Sequence, residues 1–292
     1  MSELRRSREL AAGIRDLAAR AARALPPSHG ARRTARRRVA RPVDYMRYAE
    51  FEAVLRDLDL PSGSRVLDIG SPQWFTLQLA SSRQDCTFEY VNIIDTELDD
   101  YREIAQALGL GNVSYERADV CELPFEPGSF DRVISISVLE HVYPEVGGDI
   151  AALGEIKRVL AAGGELLLTV PFKAQRNVVY VDGPVYERAE QERNFFAREY
   201  DREMLDDLLA QSGFAARSEW HISERPGRLA VDYHEWGPGS ERRIESLALR
   251  ARRLLELGPG RSVDGWLAER YLRVSREPRE RLVNIAGSFV PA

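Results

Sequence analysis

Between residues 65 and 172 the chain alternates two hydrophobic rhythms. Short apolar runs, most of them stopped or flanked by an acidic residue, are separated by stretches whose apolar positions recur every three or four residues. The short runs predict strands at 64–69, 87–94, 113–117, 132–136 and 165–170. The slower rhythm predicts helices at 74–80, 101–108 and 150–160, with one more at 44–58 leading into the first strand. Strands alternating with helices imply right-handed crossovers and an α/β architecture. The expected fold is a doubly wound sheet, with two further candidate strands at 215–222 and 281–290. Ligands bind such a sheet outside the carboxyl ends of its strands. Asp68, Asp95 and Asp119 fall at or just beyond those ends.

The pattern changes on both sides of this region. Residues 2–25 carry Leu4, Ile14, Leu17 and Leu25 and predict an amphipathic helix, ended by Pro26 and Pro27. Residues 28–41 are arginine-rich and weakly patterned and read as a mobile linker. Residues 1–42 are thus expected to form a helical N-terminal extension, and 43–292 one domain. Pro171 interrupts the alternation, and 172–200 reads as an irregular, aromatic insertion. A helix follows at 201–211, with Gly213 just past its end. A helical insertion is expected at about 240–275, as helices at 241–257 and 263–274 around Gly258-Pro259-Gly260.

Charge modifies this picture at one end only. The net charge is −5, yet residues 1–42 hold twelve arginines against Glu3, Glu9 and Asp16, which leaves the remainder strongly acidic. So basic an arm admits an anionic partner; a solvated or dimer-packing helix is the plainer reading, and charge alone does not demand nucleic acid. No apolar run reaches the length of a membrane span, and no apolar stretch follows Arg5 and Arg6 as a secretory signal would require, so a cytoplasmic location is expected. Cys86 and Cys121 have no His or Cys nearby at ligand spacing and read as free thiols.

Inside the alternating region stand Leu123-Pro124-Phe125, Ser129-Phe130-Asp131, Leu139-Glu140-His141, Glu155-Ile156-Lys157-Arg158-Val159-Leu160 and Gly163-Gly164, in that order. On these motifs residues 64–172 resemble class I S-adenosylmethionine-dependent methyltransferases, most nearly the broad branch acting on small molecules. The later run Phe195-Phe196-Ala197-Arg198-Glu199-Tyr200-Asp201 resembles methyltransferases of bacterial glycan or natural-product clusters. The resemblance implies a Rossmann-like, doubly wound seven-stranded sheet, mostly parallel with an antiparallel last strand, with S-adenosylmethionine as cofactor and S-adenosylhomocysteine as product. It implies cofactor contacts from Asp68 to the ammonium, from Gly70 and Ser71 in the first turn, and from Asp95 to the ribose hydroxyls. Asp119 and the Val120 N–H are implied for the adenine, and Ser137 for a further ammonium contact. Where the family has Asp-x-Gly-x-Gly-x-Gly, this chain has Asp68-Ile69-Gly70-Ser71-Pro72-Gln73-Trp74. Pro72 has no N–H to donate and Trp74 would crowd a pyrophosphate, which argues against a dinucleotide. S-adenosylmethionine has no phosphate and tolerates a one-glycine turn. Asp68 and Asp95 have an alternative reading as helix caps.

His141 is the candidate catalytic residue, because a hydroxyl nucleophile benefits from a base of near-neutral pKa; packing at a helix start is its alternative. Glu140 reads as structural, and His234 as a second candidate base. Tyr180, Tyr186, Arg188, Phe196, Arg198 and Tyr200 are candidate acceptor-pocket residues, rings and charged anchors suited to a polar ring substrate. Packing onto the sheet is the alternative for Phe195, Phe196 and Tyr200. Arg47 and Tyr48 could close over the cofactor carboxylate. No carboxylate–histidine set at helical spacing converges on the site, so no metal is expected. Ser135-Ile136-Ser137-Val138 stands where base methylases carry Asn/Asp-Pro-Pro-aromatic, so nucleic acid is not the expected substrate. The expectation is a bacterial enzyme that methylates a hydroxyl of a small polar molecule, a sugar or a natural product. N- or C-methylation of a small molecule or peptide, a cofactor-binding protein that catalyses another reaction such as cyclisation, and a non-catalytic anion-binding module are the alternatives. A homodimer is also open, since the leading helix could swap between subunits.

Overall fold

The computed structural model describes residues 3–186, 192–225, 262–279 and 281–292. Three helices come first: α1 (Arg5–Ala24), α2 (Gly30–Ala40) and α3 (Arg47–Asp57). The alternating region follows as β1 (Arg65–Ile69), α4 (Gln73–Ser82), β2 (Thr87–Asn92), α5 (Asp95–Leu108), β3 (Val113–Arg117), β4 (Phe130–Ile136), α6 (Gly148–Val159) and β5 (Leu160–Pro171). Then come β6 (Asn177–Asp182), β7 (Arg193–Glu199), α7 (Arg202–Ser212), β8 (Phe214–Glu224), α8 (Val263–Tyr271), β9 (Leu272–Ser275) and β10 (Leu282–Pro291).

Eight of these strands form one sheet in the order β3-β2-β1-β4-β5-β10-β8-β9. The first five are parallel, β10 runs antiparallel between β5 and β8, and β9 is antiparallel to β8. The period-two alternation assigns each strand residue to one of two cores. Val66, Ile134 and Leu167 face the side covered by α1 to α5 and α8. Leu67, Val133, Leu166 and Leu168 face the side covered by α6 and α7. The sheet is therefore sandwiched, and its carboxyl-end rim is the edge left for a ligand.

The family-like motifs are fastened to one another. Glu155 accepts from the Leu123 N–H at 2.9 Å, and the Arg158 guanidinium donates to the carbonyls of Leu123 and Phe125 at 2.8 and 2.6 Å. Asp131 accepts from the Arg65 N–H at 2.8 Å, tying the start of β1 to β4.

Four expectations need correction. Residues 28–41 are not a mobile linker: α2 is a helix whose Ala31 and Ala35 are buried one turn apart, with the His29 ring accepting from the Ala31 N–H at 3.3 Å as its cap. Alanine buries little surface and leaves a faint periodic signal, which is why the pattern there was weak. Among the described residues the sheet has eight strands rather than seven, because the helix expected over 263–274 stops at Tyr271 and Leu272 and Val274 then alternate inward as β9. Residues 172–200 are not irregular throughout; β6 and β7 pair as an antiparallel hairpin. Helix α5 starts at Asp95 rather than 101, its acid-rich first turns favoured by the helix dipole, and Gly109 ends it at φ +68°. The helix expected at 241–257 lies outside the described residues.

Helix α1 is not a free arm either. Leu10, Ile14, Leu17, Ala18 and Ala21 are buried, and the helix packs across α3, α4 and α5.

Candidate functional site

The strand order reverses between β1 and β4, and a cleft of about 450 Å³ opens at that point. This is where the topology of a doubly wound sheet places a ligand, and the volume lies in the range of small-molecule sites. Each of the first four strands contributes the residues just at its carboxyl end. Ile69 and Gly70 come from β1, Asn92 and Ile93 from β2, Asp119 and Val120 from beyond β3, and Ser137 and Val138 from beyond β4. His141, Tyr143, Arg47 and Tyr186 complete the walls.

Gly70 adopts φ +61°, and a Cβ there would stand 3.2 Å from Val138 Cγ1, so the turn after β1 requires glycine. Asp68 lies beneath this turn, fully buried and outside the lining. Its carboxylate accepts from the Ser71 N–H at 3.1 Å and from the Thr76 hydroxyl. Burial pushes the Asp68 carboxyl up to about 6, against the opposing pull of those donors. Ser71 is likewise a staple, not a wall. Its hydroxyl accepts from the Ile136 N–H at 3.0 Å and its carbonyl from the Tyr90 hydroxyl at 2.7 Å. Trp74 does not crowd the cleft as its position suggested. It is buried in the opposite direction, edge-on to Tyr101 at 6.1 Å.

Asp95 is exposed at the start of α5, 3.5 Å from Arg102, and is not part of the lining. Asn92, the last residue of β2, lines the cleft instead, its side-chain oxygen accepting from the Ile94 N–H at 3.1 Å. Asp119 and Val120 line the cleft, and the exposed Asp119 carboxylate accepts locally from the Cys121 N–H at 2.9 Å. Ser137 sits at φ +51°, its N–H donating to the Thr169 carbonyl at 3.1 Å and its hydroxyl to Glu50.

Glu50 is a residue that sequence reasoning missed. Although fully buried, it accepts from Arg47 at 2.6 Å, Asn284 at 2.9 Å and Thr169 at 3.3 Å, besides Ser137. A buried carboxylate surrounded by donors is a sound anchor, and this one holds Arg47 at the cleft wall. The only trace in the sequence is an acid among the apolar residues of α3. Tyr48 turns away from the cleft into a separate cavity of about 370 Å³ beside α1 and α8, with its hydroxyl 2.9 Å from that of Ser262.

His141 stands at the cleft wall with Nδ1 2.7 Å from the Phe196 carbonyl oxygen. A carbonyl only accepts, so Nδ1 carries the proton and Nε2 keeps its lone pair. Burial, the largest influence on it, lowers the imidazole to about 4 rather than leaving it near neutral as expected of a base, so the ring is neutral at pH 7. Nε2 is 3.8 Å from Glu140 Oε1. Glu140 is 4% exposed, its Oε2 has no hydrogen-bond partner among the described residues, and burial pushes its carboxyl up to about 8.

The six acceptor-pocket candidates separate. Tyr186 lines the cleft and meets the His141 ring edge-on at 5.5 Å, and half-buried Phe196 meets it at 4.7 Å. Tyr180 is exposed beyond the lining and donates to Glu145 at 2.7 Å. Arg198 and Tyr200 are buried and do not reach the cleft. The Arg198 guanidinium donates to the carbonyls of Glu140, Val142, Pro144 and Glu145 and lies 3.3 Å from Asp149, to which the Tyr200 hydroxyl also donates. These two hold the His141 loop from behind. Arg188 and His234 lie outside the described residues.

The described residues contain no group of three or more His, Cys, Asp or Glu arranged to hold a metal, and no helix among them is long and apolar enough to cross a membrane.

Comparison with known proteins agrees with this geometry. A family model described as a methyltransferase domain matches residues 67–168, the segment that supplies most of the cleft. A protein of Encephalitozoon cuniculi (strain GB-M1), named as a methyltransferase without an acceptor, is 41% identical over 64 residues. That match covers 22% of this chain and only 30% of the relative's own length. The structure of the cyclase SpnF is similar with a TM-score of 0.52 and 19% identity, over 85% of this chain and 82% of that one, a likeness of fold. An S-adenosylmethionine-dependent methyltransferase from Methanosarcina mazei gives a TM-score of 0.46 and 21% identity over 58% of this chain and 87% of that one. Residues 67–168 of this chain are thus similar to a methyltransferase domain.

Proposed function

We propose that this protein transfers a methyl group from S-adenosylmethionine to a hydroxyl oxygen of a small molecule. The observation that carries the reading is the tautomer of His141: with Nδ1–H held by the Phe196 carbonyl, a neutral Nε2 lone pair stands at the wall of the cofactor cleft. The residues present fit the cofactor. Asp119 and the Val120 backbone suit an adenine edge, and Asn92 suits ribose hydroxyls. The apolar Ile69, Val91 and Ile93 suit the faces of a flat ring, and Arg47 suits a carboxylate. The bound cofactor supplies an electrophilic methyl group on a sulfonium, which a nucleophile displaces in line.

The protein's own part is to bind, orient and manage one proton. Gly70 lets the backbone approach closely, while Asp68 and Ser71 fix the turn that carries it. His141 Nε2 takes the acceptor's hydroxyl proton as the oxygen forms its new bond to carbon, and the Nδ1–H···O=C bond keeps the imidazole aimed throughout.

The test is release of S-adenosylhomocysteine by the purified chain across a panel of hydroxyl-bearing acceptors, repeated with His141→Ala. Loss of a general base predicts a fall of roughly 10²- to 10⁴-fold, with cofactor affinity retained. Full turnover by His141→Ala on its true acceptor would refute the base. Turnover confined to amines would mean N-methylation, and cofactor-dependent product without S-adenosylhomocysteine release would mean a reaction other than methyl transfer.

A further inference from the structure

The exposed large apolar side chains of the described residues lie at the cleft mouth or on the segments that join it. They are Ile93, Tyr143, Val146, Ile150, Tyr180 and Tyr186, with Tyr143 54% and Val146 85% exposed. Single exposed apolar residues scattered over a surface need no explanation, whereas a cluster marks an interaction site. Ile93 forms the lip beyond β2, and Tyr143 and Tyr186 face it across the cleft. Val146 and Ile150 continue from Tyr143 along the same loop into α6. Tyr180 joins them through its hydrogen bond to Glu145 of that loop.

The ledge is held in place. Arg198 pins the carbonyls of Val142, Pro144 and Glu145 from within, so Tyr143 and Val146 are presented outward on a fixed backbone. Around the base, the Tyr186 and Phe196 rings are parallel to within 9° at 6.4 Å, and the His141 ring stands edge-on to both. The His141 ring is therefore bordered by two aromatic rings. Among the described residues, Glu145 is engaged by the Tyr180 hydroxyl and Arg193 by the Tyr180 ring. A polyol would strip water from several hydroxyls here and find few partners for them among the described ledge residues.

We infer that the acceptor is a ring-bodied, largely apolar compound with one hydroxyl reaching His141, of the class of phenols and polycyclic alcohols, and not a sugar. This rests on the methyl-transfer reading of the same cleft. It departs from the polar ring substrate that the aromatic segment and its arginines suggested, because Arg198 faces inward.

The experiment is calorimetric titration of the full chain, loaded with S-adenosylhomocysteine, with 2-naphthol and separately with methyl β-D-glucopyranoside. Saturable 2-naphthol binding at least about tenfold tighter than the glucoside is expected, weakened about tenfold by Tyr186→Ala through loss of the ring contact. Val146→Asp, fully on the surface, should weaken it in the same direction without disturbing the fold. If S-adenosylhomocysteine binds but the glucoside binds as tightly as 2-naphthol, or Tyr186→Ala leaves 2-naphthol binding unchanged, the inference is overturned while the cofactor reading stands. If the folded chain does not bind S-adenosylhomocysteine, the methyl-transfer reading and this inference fall together.

Discussion

Replacing Arg198 with methionine removes the group that organises the loop behind His141. The guanidinium is 1% exposed and donates at 2.6 to 3.3 Å to four loop carbonyls, with Asp149 at 3.3 Å as its counter-charge. Hydrogen bonds to a charged donor are worth about 1.5–3 kcal/mol apiece. Adding them all would approach the whole stability of a typical protein, about 5–15 kcal/mol, so the bonds are not additive. A better guide is the cost of removing one partner of a buried ion pair, about 3–5 kcal/mol. Asp149 keeps the Tyr200 hydroxyl at 3.0 Å and the Ile150 N–H at 3.0 Å, which favours the low end, about 3 kcal/mol. Much of that loss is the stranded Asp149 charge, so adding Asp149→Asn should recover about 1–2 kcal/mol of it. Urea unfolding followed by tryptophan fluorescence reads both variants. A loss below about 1 kcal/mol in Arg198→Met, or a double variant as unstable as the sum of the single ones, would show that the loop does not depend on this residue.

Further predictions concern the cleft and its titrating groups. Gly70→Ala forces an L-residue into φ +61° against Val138, at about 1–2 kcal/mol for the backbone alone; calorimetry should show S-adenosylhomocysteine affinity falling at least about tenfold, and unchanged affinity would mean the turn is not part of the site. Burial raises the Glu140 carboxyl from 4.5 to about 8, so the stability linked to its proton is full below pH 4.5 and lost as pH rises through about 8. Urea midpoints of the wild type should therefore decline between about pH 5 and pH 8, and Glu140→Gln should flatten the decline; identical pH profiles would contradict the burial of this acid. His141 is held near 4, so its stabilising neutral form is fully present above about 6.5 and lost as pH falls through about 4. Nitrogen NMR of ¹⁵N-histidine-labelled protein should find its Nδ1–H tautomer at pH 7 with no titration between pH 5 and 8, whereas an ordinary titration near 6.5 would remove the argument for a sheltered base.

The sheet was legible because its strands carry the period-two signal and because the acids and glycines that interrupt it mark strand ends. The fasteners Glu155, Arg158 and Asp131 explain why the motifs occur together, since each closes a hydrogen bond to another motif or to β1. Sequence placed Gly70, Asp119, Val120, Ser137, His141 and Tyr186 around one cleft, and the structure puts them there. It read Asp95 as a strand-end acid by spacing, but α5 begins at that residue and carries it outward, leaving Asn92 at the strand end. The direction of Trp74 depends on the phase of α4, which a short buried helix with apolar residues all round does not reveal. Arg198 looked like a substrate anchor because the chain shows an arginine among aromatics; the four carbonyls that converge on it belong to a loop more than fifty residues earlier. Glu50 and Asn284 meet across most of the chain, a contact no local pattern records.

The central claim is that the cleft between β1 and β4 is a cofactor site. Calorimetric titration of the purified chain with S-adenosylhomocysteine, beside Asp119→Ala, tests it most directly. One saturable site in the wild type, weakened at least about tenfold in the variant by loss of a charged acceptor, is the expected result. A folded wild-type protein that binds no S-adenosylhomocysteine, or one whose binding is indifferent to Asp119→Ala, would contradict the account.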